Sequence, residues 1–254
     1  RPSDLRLGSG LNGFVDELRI TPDVLEPVHF LRARPSKVSV RATPSKVTLL
    51  PPDSGYVDLK EAFGAVGDGK TDDTPALQTA AEQLANKVPI RHHTLYIPPG
   101  TYLITDEIVF RRFMQIQGAG MDRTVIRLAD NAPGYSEPKG VLTTGWKPFG
   151  WKGGRGAGNS IDINLFDLTI DTGGKNPGAV ALHYHSNNRG SVRNVTIRSG
   201  DGQGHYGISL TLRWPGPTLF DNVTVEGFDY GVYSTINQYS VTFKNMFLRN
   251  QNKP

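Results

Sequence analysis

Phe220-Asp221-Asn222-Val223-Thr224-Val225 superimposes on three other segments: Phe166-Asp167-Leu168-Thr169-Ile170, Val192-Arg193-Asn194-Val195-Thr196-Ile197 and Phe243-Lys244-Asn245-Met246-Phe247-Leu248. Asp167, Asn194, Asn222 and Asn245 occupy the same place in each and follow one another at steps of 27, 28 and 23 residues. A period in the twenties built from alternating, β-branched segments marks a β-solenoid, because one coil cannot bury its apolar row without a neighbour. Leucine-rich repeats share the period but need a Leu-x-x-Leu-x-Leu scaffold that this chain lacks. The recurring Asn belongs at the tight turn between the second and third strands of each coil. There its side chain tolerates a left-handed backbone and bonds to its counterpart one coil away.

The rest of the composition agrees with an all-β chain. Twenty-nine glycines and 18 prolines fall between short Val/Ile/Leu/Phe/Thr runs, and 37% hydrophobic with 20% charged residues supports a real core. Formal charge is +4, yet Arg32, Arg34, Lys37, Arg41 and Lys46 carry +5 in a stretch without acids, so the remainder sums to -1. A basic face for nucleic acid is therefore not expected. The absence of cysteine excludes a disulfide scaffold and thiolate chemistry. No run of about 18 apolar residues exists to span a bilayer. The chain starts at Arg1 with no leader pattern and is expected to begin inside a longer polypeptide.

Upstream of the repeats lies Phe63-Gly64-Ala65-Val66-Gly67-Asp68-Gly69-Lys70-Thr71-Asp72-Asp73-Thr74-Pro75-Ala76-Leu77-Gln78-Thr79-Ala80. It reads as a glycine-rich turn, an N-cap from Asp73 or Thr74, and an amphipathic helix to about Asn86 with Leu77, Ala80, Ala81 and Leu84 inward. Leu95-Tyr96-Ile97-Pro98-Pro99-Gly100-Thr101-Tyr102-Leu103-Ile104 then gives two strands around a Pro-Pro-Gly turn. Together these two motifs resemble the opening of the pectate-lyase-like superfamily, in its rhamnogalacturonase/epimerase-like branch. The resemblance implies a right-handed parallel β-helix over 56–254 whose N-terminal end is capped by the α-helix. Residues 1–31, around Gly10-Leu11-Asn12-Gly13-Phe14-Val15-Asp16-Glu17-Leu18-Arg19-Ile20, resemble the last strand of a laminin-G-like or concanavalin-like jelly roll. Residues 32–55, with four prolines, read as a linker. A good strand at 241–248 with only six residues after it leads to the expectation that the β-helix is truncated at its C-terminal end.

Counting back from the Asn ladder places the first strand of each coil. Val180, Leu182, Ile208, Leu210 and Val232 fall inward, Ala181, Ser209 and Tyr233 form one outward row, and His183, Thr211 and Thr235 a second. The family likeness implies that this first sheet and its loops form a saccharide groove. Asp201 is then a candidate general acid or base, with His183 and His205 as proton carriers. Arg213 is a candidate uronate ligand, and Trp214, Tyr184, Tyr233 and, from the glycine-rich insertion at 131–159, Trp146 are candidates to stack on sugar rings. Against this stands a purely structural reading, with Asp201 as a β-turn residue and Arg213 and Trp214 covering the next coil. Asp171, Asp201, Asp229 and Glu226 lie before first strands, where two of them could face each other across coils. Asp68, Asp72 and Asp73 resemble a calcium loop but lack its spacing.

The expected function is that of a glycoside hydrolase or polysaccharide lyase acting on an extended polysaccharide, uronate-containing chains included, outside a bacterial cell or at its surface. The alternative is a non-catalytic adhesin or tail-spike-like β-helix that only binds. No metal site is assigned; Ca²⁺ enters only if the activity is that of a lyase. Polysaccharide is the expected partner, with no nucleic acid and no membrane insertion, and oligomeric state is not read.

Overall fold

A computed structural model describes residues 55–86, 93–145, 160–211, 216–235 and 240–253. The jelly-roll and linker readings of the first 54 residues therefore lie outside the described residues, as do Trp146, Arg213 and Trp214.

In chain order the elements begin with β1 (Tyr56–Asp58), α1 (Leu59–Phe63), β2 (Asp68–Asp72), α2 (Thr74–Asn86), β3 (His93–Ile97) and β4 (Gly100–Ile104). Next come β5 (Ile108–Phe110), β6 (Met114–Gly118), β7 (Thr124–Leu128), β8 (Lys139–Thr144) and β9 (Asn164–Asp171). The repeats supply β10 (Ala179–His183), β11 (Asn187–Arg198), β12 (Tyr206–Leu210), β13 (Gly216–Glu226), β14 (Tyr230–Ser234) and β15 (Val241–Arg249). Every paired strand runs parallel to its neighbours, as stacked coils require. One sheet runs β5-β8-β10-β12-β14 and collects the first strand of each coil. The other begins as two rows, β1-β3-β6 and β2-β4-β7, which merge at β9 and continue through β11, β13 and β15. The all-β, parallel β-helix expectation holds.

The merger is made by the ladder residue. Asp167 has φ 56°, Asn194 53°, Asn222 55° and Asn245 50°, so each long strand bends sharply at one left-handed residue instead of breaking. Residues before the bend pair in the second-strand row and residues after it in the third, as in Val192↔Phe220 and Val195↔Val223. Asn194 Nδ2 donates to Asp167 Oδ1 (2.7 Å) and Asn222 Nδ2 to Asn194 Oδ1 (2.8 Å). The ladder changes at its last rung: Asn245 Nδ2 donates to Asp221 Oδ1 (3.1 Å), which also accepts Lys244 at its other oxygen. Gly118 lies where a Cβ would strike the Asp167 carbonyl, and Gln117 Nε2 reaches the Asp167 carboxylate (2.7 Å) to start the ladder.

Alternate side chains fill the coil. Ile116, Leu165, Val192 and Phe220 stack in one buried file, and Ile126, Ile170, Ile197 and Val225 in a second. Outside the third-strand row a file of charges alternates in sign: Arg127, Asp171, Arg198, Glu226 and Arg249 pair in register. Arg198 Nε bonds to Asp171 Oδ2 at 2.8 Å within it.

Helix α2 has the expected bounds, and Leu77, Ala80, Ala81 and Leu84 are buried in the common core. Asp73 stands at the expected cap position, its carbonyl accepting Leu77 N (3.1 Å), but its side chain does not cap. The Asp73 carboxylate turns back to accept the amides of Val66 (2.7 Å) and Gly67 (2.9 Å), and Thr74 Oγ1 accepts Thr105 N (2.8 Å). Asp72 instead accepts Thr74 N (2.9 Å). Asp68 accepts the amides of Lys70 and Thr71. The acidic motif is thus a set of backbone anchors, each carboxylate holding amides that the turn leaves without a strand partner. No helix among the described residues is long and apolar enough to cross a membrane.

Candidate functional site on the first-strand sheet

Register across the first-strand sheet aligns Thr143, His183, Ser209 and Tyr233 in one row. The expected rows therefore need a correction: His183, not Ala181, is level with Ser209 and Tyr233. The connection from first to second strand differs between coils, since Leu182 precedes Asn194 by 12 residues, Ile208 precedes Asn222 by 14 and Val232 precedes Asn245 by 13. A constant offset slips β10 by two positions against β12, and a slip of two preserves the face while moving every side chain along the groove.

Most of this row is shielded. Thr143, His183 and Ser209 are buried, and Thr211 Oγ1 lies 3.2 Å from both His183 Nε2 and Ser209 Oγ. Thr143 Oγ1 donates to Glu107. Burial, reinforced by neighbouring His185, pushes the His183 imidazole down to about 4. It is therefore neutral near pH 7 and has no open path to a substrate. Tyr184, expected to stack on sugar, is fully buried: its hydroxyl donates to Ile163 O (2.8 Å) and its ring meets Phe220 edge-on at 5.3 Å. The chain leaves β10 after His183, and Tyr184 turns into the core.

The row opens at its far end. Tyr233 is 37% exposed and its ring lies parallel to Tyr206 at 4.3 Å. Tyr206 also meets Tyr230 at 5.9 Å and the His205 ring at 3.9 Å. These four partly exposed rings form one aromatic surface over β12 and β14. The Asp229–Lys253 ion pair (2.6 Å) borders it, with Lys253 Nζ 5.7 Å from the Tyr230 ring centre. Burial lowers the His205 pKa, with Asp229 opposing and Lys253 adding to the effect. Tyr206 and Tyr230 were not singled out from the sequence, although both open a repeated Tyr-Gly pair, Tyr206-Gly207 and Tyr230-Gly231, that marks equivalent positions.

Asp201 sits in the loop before β12, where its carboxylate accepts Lys175 N (2.6 Å), Gln203 N (3.0 Å) and Ser199 Oγ (3.2 Å). Partial burial alone would raise its pKa; these hydrogen bonds outweigh it and hold the carboxyl below the ordinary value. That arrangement suits a loop anchor and opposes a general acid. The three other acids singled out before first strands each have a separate partner: Asp171 has Arg198, Asp229 has Lys253 and Glu226 has Asn250. Among the described residues no three His, Asp or Glu side chains gather to hold a metal ion. At the opposite end of the same sheet, a cleft of about 720 Å³ opens between α2 and β5, lined by Gln78, Glu82, Asp106, Glu107, Arg111 and Lys139 among others. Lys139 pairs there with Asp106 (2.8 Å).

The family model described as "Rhamnogalacturonase A/epimerase, pectate lyase-like" matches residues 60–253. Among curated relatives, the glucan 1,3-beta-glucosidase of Cochliobolus carbonum is 34% identical over 143 residues, which is 53% of this chain and 15% of that protein. Alginate lyase 7 of Azotobacter vinelandii is 36% identical over 117 residues, covering 43% of this chain and 12% of that protein. The chain thus spans a small part of the length of either relative. Among solved structures, ORF18 of Geobacillus virus E2 superimposes with a TM-score of 0.55 at 23% identity, over 74% of this chain and 35% of that one, and supports the fold alone.

Proposed function

Since the chain belongs to the rhamnogalacturonase A/epimerase, pectate lyase-like family, we propose that it is the substrate-holding part of an extracellular polysaccharide-cleaving enzyme, a glycosidase or a lyase. The saccharide lies along the first-strand sheet and stacks on the surface formed by Tyr206, Tyr230 and Tyr233. The observation that carries this reading is the contiguity of those rings beside a charged border. Flat aromatic faces match the C–H faces of pyranose rings, while Asp229, Lys253 and His205 offer hydrogen bonds at the rim. Hydrolysis of a glycosidic bond calls for two carboxyl groups facing each other across the scissile bond. Asp171, Asp201, Asp229 and Glu226 are instead each held by separate partners, which supports a binding role for the coils that carry them rather than the bond-breaking step.

Titration with glucan-derived and uronate-derived oligosaccharides tests the proposal. Loss of one stacking ring removes about 0.5–1.5 kcal/mol, so Tyr233→Ala should weaken binding up to about tenfold. Because Tyr233 is over a third exposed, the thermal midpoint should hardly move. Unchanged binding in both Tyr233→Ala and Tyr206→Ala would remove the platform from the site.

A further inference from the structure

We infer that a second saccharide site, selective for acidic sugars, lies on the outer face of the long sheet, away from the first-strand sheet. It goes beyond the proposed function and takes from it only the ligand class. A cleft of about 260 Å³ is lined by Phe113, Gln115, Asp162, Asn164 and Arg189. This is just under the roughly 300 Å³ at which small-molecule pockets begin, a size that suits one sugar unit of a chain rather than an enclosed cofactor.

Its walls are built to hold a guanidinium in place. Gln115, Asn164 and Ser191 are level on β6, β9 and β11, so their polar groups follow one another at the spacing of adjacent strands. Ser191 Oγ donates to Asn164 Oδ1 (2.7 Å), and Asn164 Nδ2 donates to Asp162 Oδ1 (3.2 Å). The second oxygen of Asp162 accepts Arg189 Nη2 (3.0 Å). The Asp162 side chain is 9% exposed, whereas that of Arg189 is 73% exposed. A shielded acid thus orients an arginine whose planar fork has five donors and is largely in solvent, the geometry that recognises a carboxylate.

The surroundings set the ligand's charge. Arg193, in the next outward row, lies 5.8 Å over the Phe166 ring, and Arg112 lies 5.8 Å over the Phe113 ring. Arg193 is level with Asp221 one strand over, so Arg189 and, beside the lining Phe113, Arg112 are the cations at a cleft whose one lining acid already has a cation. Phe113 adds the apolar surface that a sugar ring needs beside its carboxylate. A uronate unit satisfies both demands; a neutral hexose satisfies only the second.

The test uses the whole chain with the first platform silenced, as the Tyr206→Ala/Tyr233→Ala variant, titrated with trigalacturonate and with maltotriose. Trigalacturonate should still bind, and maltotriose at least about tenfold more weakly. Adding Arg189→Gln should cut trigalacturonate affinity by a further tenfold or so, and raising salt should do likewise. If Arg189→Gln disturbs folding by stranding Asp162, Arg189→Lys, which keeps the charge but loses the planar fork, should still weaken binding about threefold. The inference is overturned if the platform variant binds no trigalacturonate, if maltotriose binds equally well, or if neither arginine change alters affinity. Failure of the first-strand reading looks different: the tyrosine changes would then leave wild-type binding intact.

Discussion

Asn194 carries two rungs of the ladder, and its replacement gives a worked prediction. Alanine there removes the bond to the Asp167 side chain (2.7 Å), taken at about 1.5 kcal/mol because the pair is exposed, and the bond from Asn222 (2.8 Å), taken at about 1 kcal/mol. It also places a Cβ without a compensating polar group at φ 53°, a conformation that disfavours ordinary residues by roughly 1 kcal/mol. Asn194→Ala should then destabilise by about 3.5 kcal/mol. Asn194→Gly loses the same bonds but adopts the left-handed backbone freely, so about 2.5 kcal/mol is expected. Urea unfolding followed by far-ultraviolet circular dichroism reads both as shifts in midpoint at unchanged slope. A glycine variant no more stable than the alanine variant would refute the conformational part. Losses under about 0.5 kcal/mol in both would refute the ladder as a source of stability.

Further outcomes follow from the same geometry. The pKa of His183 is about 4 in the fold against 6.5 when unfolded, so the folded state binds fewer protons between those values. Stability should be full above pH 6.5 and fall as pH drops towards 4, by roughly 3 kcal/mol; thermal midpoints of wild type and His183→Gln across that range should converge on acidification. Asp201→Asn should lower the melting temperature, because one amide oxygen cannot serve the Lys175 and Gln203 amides as a carboxylate does, while leaving oligosaccharide affinity within about twofold; a binding defect without a stability loss would return Asp201 to the site. Gly178→Ala should cost more than about 2 kcal/mol in urea melts, since the added Cβ meets the Glu137 backbone and cannot be relieved by a rotamer change.

The ladder positions and the core files they bracket could be read from sequence because a coil's bend demands a residue tolerant of left-handed geometry, and Asn or Asp advertises that need. Helix α2 was equally readable, since its apolar spacing sets which side it buries. Its cap was not: Asp72, Asp73 and Thr74 are all competent acceptors, and only tertiary placement of the Val66–Gly67 turn decides which amide each one meets. The surroundings of the candidate residues are less legible. Tyr233, a stacking candidate, and His205, a proton-carrier candidate, lie together with Tyr206 and Tyr230, which are not among the candidates read from sequence, while Tyr184, also a stacking candidate, fills the core. The misplacement of His183 along the groove has its origin in the unequal lengths of the connections after the first strands, which no periodicity records. The alignment of Asn164, Ser191 and Gln115 was likewise invisible, because β6 lies a whole insertion away from β9 in the chain and joins it only through the merged sheet.

The alternating file Arg127, Asp171, Arg198, Glu226 and Arg249 gives the solenoid a parity. Removing one whole coil would leave every apolar file intact, since each coil presents similar residues inward. It would, however, bring Arg127 beside Arg198, or Asp171 beside Glu226. Like charges on adjacent strands repel where the present neighbours attract. Excision of two successive coils would restore alternation. Growth or shrinkage of this β-helix by duplication is therefore easier in even steps than in odd ones, and a chain that skips one coil while folding meets a mismatch on its surface that its core would never register.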